Sequence, residues 1–478
     1  MLMLINGQRV PAASGKTFDN VNPATGEVVC TVPAGEACDF ERAALAAKAA
    51  QPAWADMPFY KRSEIIYKYT SLVREHVEEI AQAACAEGGK RIDECRDEVL
   101  TLCMVFETFT EAAHHMYGNT IPLKAEARTE NDIIFTVHEP LGTIVTITPF
   151  NFPIELYAHK VAPALITGNA VIAKPASDTP LATTMLTELL WEAGVPGGVM
   201  QLVTGSGREI GKWLEETKLV DAVSFTGSTE VGSSLLASGA KEIRRTFLEL
   251  GGNDPFVIFP DADLDLCVAE ALGGRAHNAG QVCCASKRYI VHESVKDAFA
   301  EKLVKALSAL KLGNPADPAN DMGPLINEKA AIAAMADIAH IIDQGATVLC
   351  GNKREGAYVW PTVLTNVSPE NDVAKDLEVF AALFPIISFQ TFDEALKIAN
   401  QTSFGLASTV MTADMKTAMK FATKVQAGTC VINGTGDYRS VHQAFGGYKH
   451  SGMGREGTST TLREVTQEKN IALKNILK

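Results

Sequence analysis

From residue 133 onward, short apolar runs alternate with amphipathic stretches of helical length, and this rhythm restricts the fold more than any other feature of the chain. "DIIFTVHEPLGTIVTITPF" reads as strands broken by a turn at Pro140–Gly142. "AVIAKPA", "VMQLVTG", "DAVSFTG" and "RTFLELGG" are further strands, and "PLATTMLTELLWEAG", "REIGKWLEETK" and "STEVGSSLLASGA" are the helices between them. A parallel strand pair needs a crossover long enough to hold a helix, so repeated strand–helix–strand units predict an α/β fold with a helix-covered parallel sheet. A second alternating block follows Gly252, with "KRYIVHE", "ESVKDAFAEKLVKALSAL", "FDEALKIANQTS" and "GTCVING", and predicts a second α/β domain. Earlier, "DFERAALAAKAAQPAWA" is helical, and "YKRSEIIYKYTSLVREHVEEIAQAACAEGGK" reads as a long amphipathic helix stopped by Gly88-Gly89. The tail "TQEKNIALKN" reads as a late strand, a candidate for sharing with another subunit.

Bulk properties exclude several function classes. A formal net charge of −14 argues against nucleic acid or an anionic membrane as the main partner. No window approaches 18 uninterrupted apolar residues, so no membrane-spanning helix is expected. The first residues, "MLMLINGQRVPAASGK", lack a basic n-region and a long h-region, and the expectation is a cytoplasmic protein. Ten cysteines without a CxxC pair or zinc-type His/Cys spacing are expected to be mostly buried thiols in a reducing compartment, with no metal site.

Ligands bind at strand ends in such sheets, and three turns fall there. "VTGSGREIG" (Val203–Gly211) is glycine-rich, "FTGSTEVG" (Phe225–Gly232) places Gly227 and Ser228 at a helix start, and "AKPASDTP" (Ala173–Pro180) sets Lys174 at a strand end. Any one such turn is as well explained by packing. Three on successive strands point to a phosphate-bearing cofactor held by free N–H groups at a helix N-terminus, although no GxGxxG fingerprint is present. In "LELGG", Glu249 is either a capping carboxylate or, once desolvated, a general base. In "TPFNFP", Asn151 is either a turn residue or an oxyanion donor. "NAGQVCCASKR" carries adjacent cysteines, Cys283 and Cys284, without saying which is a nucleophile.

Together with "GNAVIAKPASDTP", "LEVF" and "FGGYKHSGMGREG", these segments resemble the aldehyde dehydrogenase superfamily in order and spacing over essentially the whole chain. The resemblance implies that Cys283, the first residue after G-Q-x, is the nucleophile, Glu249 the base for thioester hydrolysis and Asn151 an oxyanion donor. Cys284 falls at a variable position, where a packing role or a strained Cys283–Cys284 disulfide are the options. The cofactor, NADP or NAD, is implied to lie against Thr148, Pro149, Phe150, Lys174, Ser177, Gly207, Gly211, Phe225, Gly227, Ser228, Leu250, Glu378 and Phe380. Ser177 stands where many NAD-preferring relatives have Glu, which admits a 2′-phosphate; the other reading of Ser177 is helix capping. Two departures are Ala381-Ala382, where Gly-Pro is usual, and Phe150 in place of Trp.

For the substrate, the resemblance implies a tunnel at Glu155, Leu156 and His159, walled by Tyr438, Arg439, His442 and Phe445. In these pocket motifs the chain looks closest to lactaldehyde and glycolaldehyde dehydrogenases. Succinate-semialdehyde dehydrogenase is the alternative, with Arg439 taking the carboxylate, and a direct Glu155–Arg439 ion pair would leave a smaller pocket. CoA-acylating relatives, which usually lack the base, and a catalytically silent homologue are the remaining readings. The resemblance also implies a cofactor domain (1–120 and 141–251), a catalytic domain (252–456), an oligomerisation element (121–140 and 457–478), and a homodimer or homotetramer.

Overall fold

The computed structural model describes residues 1–478. The strand–helix repeats build an eight-stranded sheet in the spatial order Gln8–Val10, Met3–Ile5, Met200–Leu202, Ala170–Lys174, Thr143–Ile147, Ala222–Thr226, Arg245–Glu249, Gly452–Met453. Its five middle strands are parallel to one another. The two central strands, Thr143–Ile147 and Ala170–Lys174, are buried along their whole length, as a sheet with helices on both faces requires. One face packs on helices including Ile92–His114 and Pro153–Ile166, and the other on Ala37–Ala55 and Gly207–Glu216.

The parallel register places the site. Ile147 is level with Lys174 and Phe225, and Thr226 is level with Glu249. The turns that begin at Thr148, Pro175, Gly227 and Leu250 therefore leave the sheet on one edge. A seven-stranded second sheet runs Thr347–Cys350, Thr362–Val367, Leu383–Phe389, Ser286–His292, Asp254–Ile258, Thr409–Met411, Val431–Ile432, around a core of its own. Asp254–Ile258 follows Leu250–Asn253 directly, and its parallel neighbour Ser286–His292 follows the loop that holds Cys283. The segments around Glu249 and Cys283 thus meet where the two sheets join.

Three elements differ from the pattern-based reading. The long helical pattern breaks at His76 into Phe59–Glu75 and Val77–Gly88. His76 leaves helical geometry (φ −111°, ψ 15°), and Glu78 and Glu79 occupy the first turn of the new helix, where acidic groups complement its dipole. The tail, by contrast, is the strand expected: Thr466–Leu473 pairs antiparallel with Ile133–Pro140 of the same chain over eight residue pairs. The strand foreseen in "GTCVING" shrinks to Val431–Ile432 at a sheet edge. Gly452–Met453, inside the segment assigned to the catalytic domain, returns to the edge of the first sheet beside Leu248 and Glu249. No helix is long and apolar enough to cross a membrane.

Gly89 ends the second of the two helices in the left-handed region at φ +71°, and a Cβ there would lie 2.7 Å from Pro23 Cγ and 2.9 Å from Pro324 Cγ. Gly89→Ala is expected to lower stability by about 1–3 kcal/mol, measured by chemical denaturation. Unchanged stability would mean that both prolines yield without penalty.

Candidate active site

The loop before Cys283 is locally strained. Asn278 and Ala279 both have positive φ (45° and 55°), followed by Gly280 at +82°. Asn278 Nδ2 donates to the Asn151 carbonyl at 3.0 Å, and Asn151 Nδ2 donates to the Gln281 carbonyl at 2.9 Å, so the "TPFNFP" turn and the cysteine loop brace one another. A side chain at Gly280 would collide with the backbone of Ala381 and Ala382, and both alanines are buried. The Ala-Ala pair that departs from the family pattern is thus a floor beneath the loop. Such strain persists only where the surroundings over-determine it.

Cys283 is half-buried and Cys284 is 6% exposed, and all ten cysteines are free. Hydrogen bonding from Cys284, then the charges of Lys287 and Arg439, hold the Cys283 thiol below its ordinary range. Cys284 is pushed well up by that same bond and by burial, so it stays a protonated donor. Its sulfur also lies 3.7 Å from Asp437 Oδ1. A lowered thiol pKa is what a nucleophilic cysteine needs.

Glu249 ends its strand 6% exposed, and its Oε2 is buried without a hydrogen-bond partner. Burial, and then the negative charge of Glu456, push its carboxyl well above the ordinary range. Burial acts on Glu456 in the same sense, but Lys160 and Arg439 overcome it and hold Glu456 well below that range. Glu456 accepts from Lys160 Nζ at 2.8 Å and from Arg439 Nη2 at 2.7 Å, with all three side chains largely buried. The two carboxyls are thereby driven apart: Glu456 is held as the anion, and Glu249 keeps its proton to higher pH than an ordinary carboxyl does.

On the cofactor side, Thr148 N donates to the Lys174 carbonyl at 3.2 Å, and Lys174 is 5% exposed, with burial lowering its ammonium to about 8. Ser228 caps the helix Thr229–Gly239, its hydroxyl accepting from Val231 N. Gly207 and Gly211 face open space, since a Cβ at either would meet nothing within 4 Å. Ser177 Oγ donates to the Gly205 carbonyl at 3.4 Å, which ties the two turns together without occupying a helix cap. Gly227 lies over the buried Phe225 ring, leaving no room for a side chain, and Gly232 lies equally close over Leu250. Glu378 Oε1 accepts from Gly252 N at 3.2 Å, and the Phe150 and Phe380 rings meet edge to face at 6.1 Å. The set fits a dinucleotide: a capped helix N-terminus for phosphate, an open glycine face for the base, and polar groups at two ribose positions.

The substrate residues separate. Arg439 pairs with Glu456, not with Glu155, so the direct Glu155–Arg439 pair is corrected. Glu456 takes that place because the backbones of Glu456 and Phe445 exchange two hydrogen bonds, each 2.7 Å, beneath the arginine. The guanidinium stacks over the Phe445 ring at 4.3 Å, and its Nε has no partner. Glu155 is instead 3.7 Å from His159 Nε2. His159 is 1% exposed, and its Nδ1 has no partner; it lies inside the protein with Leu156, also buried. Tyr438 and His442 are exposed. Sequence reasoning missed Glu456, Lys160 and Lys287. "AHK", "GREG" and "ASKR" hold them in plain view, but nothing in those segments says that Lys160 and Glu456, 296 residues apart, are in contact.

Residues 10–471 match the family model described as the aldehyde dehydrogenase family. A glutarate-semialdehyde dehydrogenase of Pseudomonas putida is 38% identical over 470 residues, covering 98% of this chain and 97% of its own. A succinate-semialdehyde dehydrogenase (NADP(+)) of Escherichia coli is 38% identical over 474 residues, with 98% and 97% coverage. The crystal structure of an NAD-dependent aldehyde dehydrogenase from Sinorhizobium meliloti superposes with a TM-score of 0.96 at 34% identity, covering 99% of this chain and 94% of that one.

Glu456→Gln removes the anion beside Glu249 and leaves Lys160 and Arg439 uncompensated; both changes favour ionised Glu249. A raised carboxyl ionises as pH rises through its folded pKa, so the acid limb of the pH–activity profile is expected to move to lower pH. Leaving two buried cations unpaired is expected to lower stability by about 3–5 kcal/mol, read by denaturant unfolding. An unmoved acid limb in the folded variant would remove Glu456 as the cause.

Proposed function

The chain belongs to the aldehyde dehydrogenase family, and on that premise we propose that it oxidises a short polar aldehyde to the acid, with NADP or NAD, through a covalent intermediate on Cys283. The observation that carries the reading is the geometry at the sheet junction: Asn151 and Asn278 brace the Cys283 loop, and the buried Glu249 carboxyl keeps one oxygen without a partner, with which a lowered Cys283 thiol and a raised Glu249 carboxyl agree. In this reading the Cys283 thiolate attacks the aldehyde carbon. The oxyanion is met by the second N–H of the Asn151 amide and by the Cys283 backbone N–H. Lys174, Ser228, Glu378 and the open face at Gly207 and Gly211 would hold NADP or NAD, which would supply the acceptor for the hydride. Glu249 then takes a proton from the water that attacks the thioester. A base at that position argues for hydrolysis over transfer to a thiol acceptor.

Ser177 brings no carboxylate to the adenosine ribose, which supports use of NADP as well as NAD; one relative is named for each cofactor. Ten free cysteines suit a reducing cytoplasm. The pair Ile133–Pro140 and Thr466–Leu473 stands apart from both large sheets, which supports its assignment as the element through which subunits form a dimer or tetramer. The three-part division of the chain rests on the same separation of sheets.

For the substrate's far end, the geometry favours a hydroxyl, as in lactaldehyde or glycolaldehyde. Arg439 keeps an unpartnered Nε as a donor, but its charge is already met by Glu456, and Glu155 stands near enough to raise the Arg439 pKa further and to oppose a carboxylate. A second reading, succinate semialdehyde, is favoured by the two semialdehyde dehydrogenases among the relatives.

Glu249→Gln is expected to give one rapid turnover's worth of reduced cofactor and then a slow steady state in stopped-flow kinetics. Cys283→Ala is expected to give neither phase while still binding cofactor. Steady turnover in the Glu249 variant would assign the base elsewhere.

A panel of glycolaldehyde, lactaldehyde, succinate semialdehyde, hexanal and benzaldehyde at matched cofactor tests the pocket. Leaving a buried polar group unpaired against an apolar chain costs roughly 1–3 kcal/mol, so the polar aldehydes are expected to lead by about one to two decades in kcat/KM. Succinate semialdehyde in front would select the second reading. Hexanal in front would reject both.

A further inference from the structure

We propose that Lys287 is a positioning residue that ties the cofactor-ribose carboxylate to the nucleophile loop, its single ammonium holding Glu378 and the Cys283 carbonyl together. The inference rests on the reading of Cys283 as nucleophile and Glu378 as ribose ligand. Lys287 lies on the buried strand Ser286–His292, and its side chain is 1% exposed. A buried ammonium must be both charge-paired and hydrogen-bonded. Lys287 Nζ forms an ion pair with Glu378 Oε1 at 3.0 Å and donates to the carbonyl of Cys283, four residues back. The Phe380 ring centroid lies 5.8 Å away.

Glu378 is held from its other side as well. Its Oε1 also accepts from Gly252 N, and a side chain at Gly251 would collide with its Oε2. One carboxylate thus joins the "LELGG" segment, the "LEVF" segment and, through Lys287, the loop of the nucleophile. Its second oxygen is the one left for a ribose hydroxyl.

The consequence is electrostatic. The titratable groups whose charge or hydrogen bonding acts on the Cys283 thiol are Cys284, Lys287, Arg439, Asp254 and Glu249. Lys287 favours the thiolate, and Asp254 opposes it. Asp254 itself is raised to about 7, by burial first, against the attraction of Lys287. How much of the Lys287 charge reaches the thiol is set by how far Glu378 neutralises it. The ribose anchor therefore also adjusts the acidity of the nucleophile.

Opposite charge deletions should move the thiol in opposite directions, which a packing role would not do. The reaction of Cys283 with iodoacetamide is followed against pH without cofactor or aldehyde, by fragment-ion mass spectrometry that resolves Cys283 from Cys284. Exposed Cys38 serves as the internal control. Lys287→Met, close in volume, is expected to slow alkylation near pH 7 by about three- to tenfold while converging with the parent at high pH. Glu378→Gln is expected to speed it by a similar factor. Both variants are expected to raise the KM for the cofactor. Unchanged profiles, or two shifts of the same sign, would overturn the proposal. If Lys287→Met does not fold, Glu378→Gln decides alone, and no acceleration there overturns it. Activity surviving Cys283→Ala would instead refute the proposed function and leave the alkylation result standing.

Discussion

Everything at this site depends on the parallel register of one sheet. Because Ile147, Lys174 and Phe225 lie level, and Thr226 lies level with Glu249, four turns open on the same edge. A shift of one residue in any pair would exchange the side chains packed on the two faces of the sheet. It would also carry Lys174 or Glu249 away from the edge. The burial of these strands on both faces is therefore what fixes the chemistry in space.

The second constraint is charge taken out of water. Glu249, Glu456, Lys160, Arg439 and Lys287 are all largely buried, and they are not equivalently paired. Glu456 takes two cations, Lys287 takes Glu378, and Glu249 is left with an orphaned oxygen. Where an anion is over-compensated it stays an anion. Where a carboxyl lies buried beside that anion, it ionises only at higher pH than an ordinary carboxyl, and it is a stronger base once ionised. The tuning comes from unequal partnering of ordinary residues.

Backbone strain supplies the third. Asn278 and Ala279 adopt a conformation that L-residues avoid, and Gly280 leaves no space between itself and Ala381-Ala382. The Asn151–Asn278–Gln281 hydrogen bonds hold that conformation. The same bonds set Asn151 against the cysteine loop, so the strain and the placing of the Asn151 amide are parts of one arrangement.

Sequence alone determined the local and periodic features. Apolar runs of strand length separated by helices dictate an α/β sheet, since the alternatives cannot bury both faces of such strands. Glycine positions, helix caps such as Ser228, and the ordered series of motifs marked Cys283, Glu249 and Asn151. Tertiary structure alone decided the pairings between distant side chains. Lys160 and Glu456, separated by 296 residues, meet because a helix beneath one sheet faces the returning strand at its edge. Arg439 chose Glu456 over Glu155 because the Phe445–Glu456 backbone pair sets that carboxylate under it. Lys287 reads as an ordinary strand lysine until the fold closes Glu378 over it. Periodicity records which face of an element is buried; it carries no information about which of several buried charges will be neighbours, because that depends on how whole elements pack.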